Sequence, residues 1–197
     1  MLIHPSIISC NFLDLKSEIQ FIDEHFGRMH IDIEDGNYIK NITFGEKILK
    51  TICDNSNSKI SVHLMMNDTD CIFQSLIQCN IDVVFIHIDH VRYPSELIQK
   101  FLEQGIEVGI ALNPNAELHD EFYLKQVKKV LIMTSEPDGK NQEFIPSLTS
   151  KIQRYISRGY EVWCDGGIKR THLEMLEDIG VQNCVMGRAI FENRSKL

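Results

Sequence analysis

The sequence predicts an α/β protein built as a closed (β/α)8 barrel with a short or incomplete last helix. Short runs rich in β-branched residues alternate eight times with longer amphipathic runs, and strands that alternate with helices form a parallel sheet. Eight such units favour a closed barrel over an open sheet. The 197 residues are few for this fold, which typically takes about 250.

The elements of the first half are predicted from side-chain spacing and from residues that start or end helices. In the first helix, apolar residues recur at positions 15, 19, 22 and 26, close to the helical period. Asp68 or Thr69 is suited to cap the third helix, and the fourth has Pro94 in its first turn and Gly105 at its end. Strands are predicted at residues 3–9, 29–33, 60–64 and 83–88, and helices at 13–25, 44–53, 70–79 and 94–104.

The second half continues the alternation but weakens at its end. Strands are predicted at residues 107–112, 129–134, 161–164 and 183–186, and helices at 145–157 and 171–179, with a weaker helix within 118–126. Only residues 189–197 remain for the eighth helix, which is why it is expected to be short. No linker or low-complexity segment interrupts the chain, so we expect one domain over residues 1–197.

Composition and charge narrow the range of partners. The net charge is −8 and no cluster of lysine or arginine stands out, which argues against a nucleic acid or an anionic membrane surface. Six scattered cysteines without a C-x-x-C pair favour reduced thiols in a cytoplasm over a disulfide or metal–thiolate framework. No apolar run reaches transmembrane length, and residues 1–5 are typical of the start of a strand rather than of a signal peptide.

The most informative stretch is the second predicted strand, His30-Ile31-Asp32-Ile33-Glu34. Side chains alternate between the two faces of a strand, so His30, Asp32 and Glu34 share one face and the isoleucines the other. Burying three titratable groups together without a ligand or partner is costly. This face is therefore predicted to belong to a functional site rather than to the core alone.

Barrels of this class place their chemistry at the carboxyl ends of the strands, where this chain has further polar residues. Strand one supplies Ser6 or Ser9. An imidazole–carboxylate set suited to a divalent zinc, iron, cobalt or manganese ion is formed by His30, Asp32, His63 and Asp165. Spacing alone leaves open that these are four unrelated polar residues of the barrel.

Glycines follow the seventh and eighth strands, at Gly166-Gly167 and at Gly187. In these barrels the loops at those positions often bind a phosphate through backbone N–H groups and a helix N-terminus. A single glycine in a turn is weak support, but glycines after both strands are more informative. The sequence thus predicts a phosphate at this side of the barrel.

Many short motifs occur in one order along the chain: Pro5-Ser6-Ile7, His30-x-Asp32-x-x-Asp35-Gly36, Asn41-Ile42-Thr43-Phe44-Gly45, Val62-His63-Leu64-Met65, the strand ending at His87, Leu112-Asn113-Pro114, Val130-Leu131-Ile132-Met133-Thr134, Gln142-x-Phe144, Asp165-Gly166-Gly167-Ile168 and Gly187-x-Ala189-Ile190-Phe191. Together they resemble the ribulose-phosphate 3-epimerase family from end to end. So many motifs in one order are specific for this superfamily.

The resemblance implies a TIM barrel, one divalent metal ion and a small-molecule ketose phosphate as substrate. Asp32 and Asp165 would be the catalytic acid/base pair, because epimerisation removes a proton from one face of a carbon and returns one on the other. The metal, held by the imidazole–carboxylate set named above, would stabilise the enediolate as a Lewis acid. Ser6 would help to position the substrate, and Met65 and Met133 would wall the reacting carbons.

The chain departs from the family pattern at residues that face the substrate. The family usually has methionine where this chain has Glu34. The loop after strand six has lost most of its glycines and gained Lys140, and the usual Gly-Ser after strand eight is here Gly187-Arg188. The phosphate is then held by side-chain cations as well as by backbone amides, or a differently shaped substrate is bound. The substrate is thus expected to be D-ribulose 5-phosphate, D-xylulose 5-phosphate or a related ketose phosphate.

Glu34 has two alternative consequences. It hydrogen-bonds a substrate hydroxyl that an apolar wall would reject, or it lies close to Asp32, in which case one carboxyl of the pair tends to keep its proton. Both alternatives predict that Glu34→Met alters function without unfolding the barrel.

Two other functions compete with a 3-epimerase. A decarboxylase of the related phosphate-binding barrels is expected to carry Asp-x-Lys-x-x-Asp, but Asp32 is followed by Glu34 and no lysine. A non-catalytic sugar-phosphate sensor or assembly subunit would explain Glu34 and the altered loop, yet it has no need of two acid/base carboxylates.

The assembly state is predicted from the last helix. The residues after Phe191 are too few for a full outer helix, so apolar surface of the barrel would stay uncovered and a homo-oligomer is predicted.

Overall fold

The structure, a computed structural model, describes residues 1–118, 125–137 and 142–192. Eight strands form one sheet in the order β1-β8-β7-β6-β5-β4-β3-β2, and every neighbouring pair runs parallel. The strands are β1 (Leu2–Pro5), β2 (Arg28–Glu34), β3 (Lys59–Met65), β4 (Ile81–His87), β5 (Glu107–Leu112), β6 (Lys129–Met133), β7 (Glu161–Asp165) and β8 (Asn183–Met186). The predicted fold class is confirmed.

The α-helices of the described residues follow the strands, as predicted. They are α1 (Leu15–His25), α2 (Glu46–Asn55), α3 (Asp70–Ile77), α4 (Pro94–Glu103), α5 (Thr149–Ser157), α6 (Arg170–Asp178) and α7 (Arg188–Phe191). The last of them has only four residues, and the weaker helix predicted within 118–126 lies mostly outside the described residues. None of the described helices is long and apolar enough to cross a membrane.

The barrel closes between β1 and β2 through a single backbone bridge. Ser6, immediately after β1, pairs in parallel with His30. The prediction that strand one extends to residue 9 is wrong, because the chain turns after this bridge and Ile7–Ser9 forms a short 3-10 helix. The turn brings Ser9 so close to the backbone after β8 that a Cβ on Gly187 would lie 2.2 Å from Ser9 Oγ.

Alternation along the strands produces two apolar layers. Outward residues such as Ile31 and Ile33 pack against the helices in the larger layer. The barrel interior holds a smaller cluster formed by Val83, Phe85, Ala111, Leu131, Met133, Trp163 and Val185. His30, Asp32 and Glu34 face inward above this cluster, on the face that the alternation predicts. The interior is therefore apolar in its middle and titratable towards the carboxyl ends of the strands.

Candidate metal centre and substrate cavity

A cavity of about 960 Å³ opens at the carboxyl ends of the strands, where barrel enzymes place their active sites. Asp32 and Asp165 lie in it together. The predicted substrate-binding residues that line it are Ser6, Glu34, Met65, Met133, Gly166, Gly167, Gly187 and Arg188. Lys140 lies outside the described residues.

The four predicted metal ligands converge where Asp32 and Asp165 line this cavity. Their ligand atoms all lie within 4.8 Å of one another. His30 Nε2 and His63 Nδ1 are each 3.4 Å from Asp32 Oδ1, and His63 Nδ1 is 3.5 Å from Asp165 Oδ2. These residues come from β2, β3 and β7, so the convergence that spacing left open is produced by closure of the barrel.

The unpaired atoms of this cluster fit a metal ion. Three buried atoms have no hydrogen-bond partner among the described residues: His30 Nε2, Asp32 Oδ1 and His63 Nδ1. Buried polar atoms without a partner are rare and call for an explanation. Two ligand atoms that are each about 2.1 Å from one tetrahedral ion lie about 3.4 Å apart. The three separations given above match this spacing, and imidazole with carboxylate is a donor set that divalent transition metals accept.

The tautomer of His30 is set by Ser61. The Ser61 hydroxyl donates its one hydrogen to the carbonyl of Met29 at 3.1 Å. It must therefore accept at its other contact, where His30 Nδ1 lies 2.7 Å from Ser61 Oγ. The proton of a neutral His30 ring is thus on Nδ1, and Nε2 presents its lone pair to the other ligands, as a metal site requires.

His87 contacts the far nitrogen of His63, as Ser61 contacts that of His30. The two rings face each other through Nε2 atoms 2.9 Å apart, so one nitrogen donates and the other accepts. Burial, together with the charge of His63, holds the pKa of His87 well below its usual value, so His87 is neutral and can accept. His87 is also stacked on the Tyr38 ring at 4.7 Å, and Asn113 donates to the Tyr38 hydroxyl at 2.6 Å. A proton on His63 Nε2 leaves Nδ1 free for a metal.

The electrostatics of the cluster favour positive charge between its carboxylates. Burial lowers the pKa of His63, but contact with Asp165 and Asp32 outweighs it and raises that pKa to about 9. Burial opposes ionisation of Asp32, but His30 and His63 hold the pKa of its carboxyl well below the usual range. The cluster therefore stabilises either a proton on an imidazole or a cation, and metal binding would displace the proton.

Ser6 and Glu34 flank Asp32 on this side of the cavity. The Ser6 hydroxyl donates to Asp32 Oδ2 at 2.5 Å, so it orients the carboxylate and leaves Oδ1 towards the imidazoles. Glu34 receives a hydrogen bond of 2.5 Å from the Asn41 side-chain amide. Burial, and then the negative charge of Asp32, raise the pKa of Glu34 to about 7. Of this carboxylate pair, Glu34 is the member that tends to keep its proton.

Another part of the cavity lining is rich in glycine and cations. Gly167 has a positive φ of 67°, and a Cβ there would lie 2.4 Å from the backbone nitrogen of Phe144. Only glycine allows the two loops to approach so closely. Lys169, Arg170 and Arg188 line this side, and the Arg188 guanidinium donates to the carbonyl of Gln142 at 3.2 Å. Cations next to a helix start suit an anionic group.

Several site residues were missed from the sequence, although some signals were present. Ser61 is two residues before His63 and so shares its inward face. Asn41 belongs to a motif that was recognised, but its contact with Glu34 depends on how the loop folds back. Lys169 and Arg170 follow the glycine pair directly, where their charge is readable from the sequence.

The family assignment rests on the whole chain. The profile of the ribulose-phosphate 3 epimerase family matches residues 2–191. The chain belongs to this family. A Helicobacter pylori protein named ribulose-phosphate 3-epimerase is 30% identical to it over 100% of this chain and 93% of its own length. One from Methanocaldococcus jannaschii with the same name is 32% identical over 96% of this chain and 83% of its own length. The chain is thus an isomerase-class protein, an epimerase that acts on carbohydrates.

Solved structures support the fold alone. A mutant tryptophan synthase alpha-subunit from Pyrococcus furiosus aligns with 99% of this chain and 90% of its own, with a TM-score of 0.68 and 18% sequence identity. At that identity the likeness shows a shared barrel and carries no function.

Proposed function

We propose that this protein is a metal-dependent 3-epimerase that interconverts D-ribulose 5-phosphate and D-xylulose 5-phosphate or a related pair of ketose phosphates. The observation that carries the proposal is the position of two carboxylates beside one imidazole: Asp32 and Asp165 lie 3.4 and 3.5 Å from His63 Nδ1. They come from β2 and β7, which are three strands apart around the barrel. Family membership and the names of the relatives support the same reaction.

The proton transfers fall to the two aspartates. One carboxylate removes the proton beside the carbonyl, and the other returns a proton to the opposite face of the same carbon. Asp32 lines the cavity and would be one of these two carboxylates. Ser6 holds one oxygen of this carboxylate, which limits its rotation during the transfer.

His30, Asp32, His63 and Asp165 would hold one divalent ion of the zinc, iron, cobalt or manganese type. When bound, this ion supplies Lewis-acid stabilisation of the negative charge that develops on the substrate oxygen. Ser61 and His87 would hold a proton on the far nitrogen of each imidazole, so that the metal-facing nitrogen can bind the ion once its own proton is displaced.

The remaining residues would bind the substrate. Met65 and Met133 are buried and would pack against the reacting carbons, which keeps water away from them. Gly166, Gly167 and Gly187 would let the phosphate approach the backbone, and Arg188 would add a charged contact. Lys140 stays a prediction for the same end of the substrate.

Exchange of substrate hydrogen with solvent D2O tests the reaction. Wild-type protein should exchange the hydrogen on carbon 3 of a ketose phosphate and form the epimer. Asp165→Asn should abolish formation of the epimer while it keeps the fold, and exchange through Asp32 should persist only for the epimer whose proton faces that carboxylate. Normal turnover in Asp165→Asn would show that the proton-transfer residue is another one. Binding of sugar phosphates without any exchange in the wild type would favour the non-catalytic sensor instead.

Elemental analysis tests the metal. We expect close to one zinc, iron, cobalt or manganese ion per chain, and His63→Ala should lose most of it, because this variant removes a central ligand. Fully active protein that contains no metal would overturn this part of the proposal.

A homo-oligomer, a cytoplasmic location and a single domain over residues 1–197 complete the proposal. They rest on the short last helix, on the scattered cysteines and on the absence of a linker in the sequence. A nucleic acid or a membrane surface is not expected as a partner, since the net charge is −8.

A further inference from the structure

Glu34 is a buried carboxylate that the proposed proton transfers do not use. It is the last residue of β2, it faces the cavity beside Asp32, and its exposed fraction is only 9%. No lysine, arginine or histidine of the described residues forms an ion pair with it. A carboxyl group buried without a cation and without a full set of hydrogen-bond partners is costly, so its position is better explained by a ligand than by stability.

The loop after β2 holds this carboxylate in one orientation. The Glu34 backbone N–H donates to Thr43 Oγ1 at 3.0 Å, and the Thr43 hydroxyl donates to the carbonyl of Asp32 at 2.7 Å. Asn41, two residues before Thr43, donates to Glu34 Oε2 at 2.5 Å and also lines the cavity. The other oxygen, Oε1, accepts no hydrogen bond from the described residues. Glu34 is thus a pre-oriented polar group with one free oxygen at the cavity wall.

We propose that Glu34 and Asn41 form a hydroxyl-recognising pair that determines which ketose phosphate this enzyme prefers. Glu34 lies one strand alternation beyond Asp32, roughly 6–7 Å along β2. A hydroxyl near the reacting carbons can therefore reach Glu34 while the phosphate occupies the cationic side of the cavity. The chemical class that fits is a phosphorylated polyhydroxy ketone that donates a hydrogen bond at this wall. This inference rests on the proposed function and names the residues that select the substrate of that site.

Sites built to hydrogen-bond a hydroxyl reject analogues that lack it far more strongly than apolar sites do. The test therefore compares each of several pentulose 5-phosphates and hexulose 6-phosphates with its analogues in which one hydroxyl is replaced by hydrogen. Affinity is measured by calorimetry and kcat/KM by exchange, for wild type, Glu34→Met, Glu34→Gln and Asn41→Ala. In the wild type, one deoxy analogue of the preferred sugar should bind at least about tenfold more weakly than its parent.

In Glu34→Met this discrimination should disappear, because the variant has no acceptor, and the order of preference among the sugars should change. Glu34→Gln should lose much of the discrimination, since Asn41 occupies its single amide oxygen and the free position then carries an N–H donor in place of an acceptor. Asn41→Ala should reduce it, because the carboxylate loses its orienting contact. Metal content and circular dichroism should match the wild type in Glu34→Met, which shows that the cluster and the fold are intact.

Equal discrimination within about threefold in wild type and Glu34→Met would overturn the role of Glu34. Because binding is measured as well as turnover, failure of the proposed function can be distinguished from failure of the proposed role of Glu34. Sugar phosphates that bind but never exchange would remove the epimerase activity and leave the affinity ratios to decide on Glu34. No binding of any sugar phosphate would overturn both.

Discussion

Each imidazole of the candidate metal cluster has one neighbour on the far side of its ring. Ser61 holds His30, and His87 holds His63, through contacts of 2.7 and 2.9 Å. Contacts of this kind choose which ring nitrogen carries the proton and so whether the ligand can bind a metal. We therefore expect that one buried residue behind each ring decides which of its nitrogens faces the cluster.

His87 provides the test at the residue scale. His87→Leu removes the acceptor for His63 Nε2–H, and we expect the affinity for zinc or cobalt to fall about 10- to 100-fold. His87→Gln should recover most of the loss, because its amide oxygen can accept the same proton. The measurement is competition with a chromophoric chelator, with the visible spectrum of the cobalt form as a second readout. Equal affinities in wild type and His87→Leu would show that His87 only fills space.

At the scale of elements, a buried lysine connects helix α5 to the loop after β5 through hydrogen bonds. Lys151 Nζ donates to the backbone carbonyls of Asn113, Pro114 and Ala116. Burial lowers the pKa of Lys151, and the carbonyls take the place of the water that the ammonium loses. These hydrogen bonds hold the loop that begins at Asn113, directly after β5. The Asn113 amide donates to the Tyr38 hydroxyl, and the Tyr38 ring lies against His87.

Replacing this lysine tests how much the connection contributes. Lys151→Met leaves buried carbonyls without a donor, and we expect the free energy of unfolding in urea to fall by about 2–4 kcal/mol. Lys100→Met is the matched control, because Lys100 pairs with Asp70 on the surface and its side chain is 45% exposed. Exposed pairs contribute about 0–1 kcal/mol. Equal losses in both variants would contradict a special role for Lys151.

At the scale of the whole molecule, apolar side chains beside the cavity mouth support self-association. Leu13 is 99% exposed and Ile42 is 76% exposed, on the loops that follow β1 and β2. Phe12 precedes Leu13, and its ring is in edge contact with that of Phe44, two residues after Ile42, at 5.5 Å between ring centroids. Exposed apolar residues that cluster usually mark an interface.

We therefore expect a homo-oligomer at micromolar concentration, measured by light scattering after size exclusion. Leu13→Glu combined with Ile42→Lys should give a smaller species, because charges at these positions oppose burial. A monomeric wild type would remove this prediction. An unchanged oligomer in the double variant would show that the interface lies elsewhere, for instance on the surface beside the short last helix.

The whole barrel should also respond to acid through His4. This residue is buried at the amino-terminal end of the barrel, where its ring stacks on Trp163 at 4.1 Å and its Nε2 is 2.9 Å from Asn183 Oδ1. Burial above all lowers the pKa of His4 to about 3. The unfolded chain takes up this proton below about pH 6.5, so between these values it binds more protons than the folded chain.

Stability should consequently fall as the pH drops from about 6.5 towards 3, by up to about 1.4 kcal/mol per pH unit from this group. His4→Gln keeps a donor for Asn183 but cannot titrate, so the slope of unfolding free energy against pH should become smaller. The measurement is urea unfolding at several pH values for both proteins. Parallel slopes would show that His4 does not contribute.

The sequence by itself determined the barrel and the inward face of β2, because both depend on periodicity along the chain. Alternation of side chains requires no knowledge of other strands, so His30 and Asp32 are assigned to one face from local order alone. The glycines after β7 and β8 are informative for the same reason. Glycine itself indicates a position where another group can approach the backbone closely. The order of recognised motifs added the family and its expected ligands.

Only the tertiary structure decided which of these residues meet. His63 and Asp165 are 102 positions apart, and they come together because the eight parallel strands close into a barrel. The end of strand one was predicted wrongly, because Ile7–Ser9 has the composition of a strand while closure requires a turn after Ser6. The contacts of Asn41 and His87 are likewise produced by folded loops and neighbouring strands. Such contacts depend on distances between segments, which no local pattern contains.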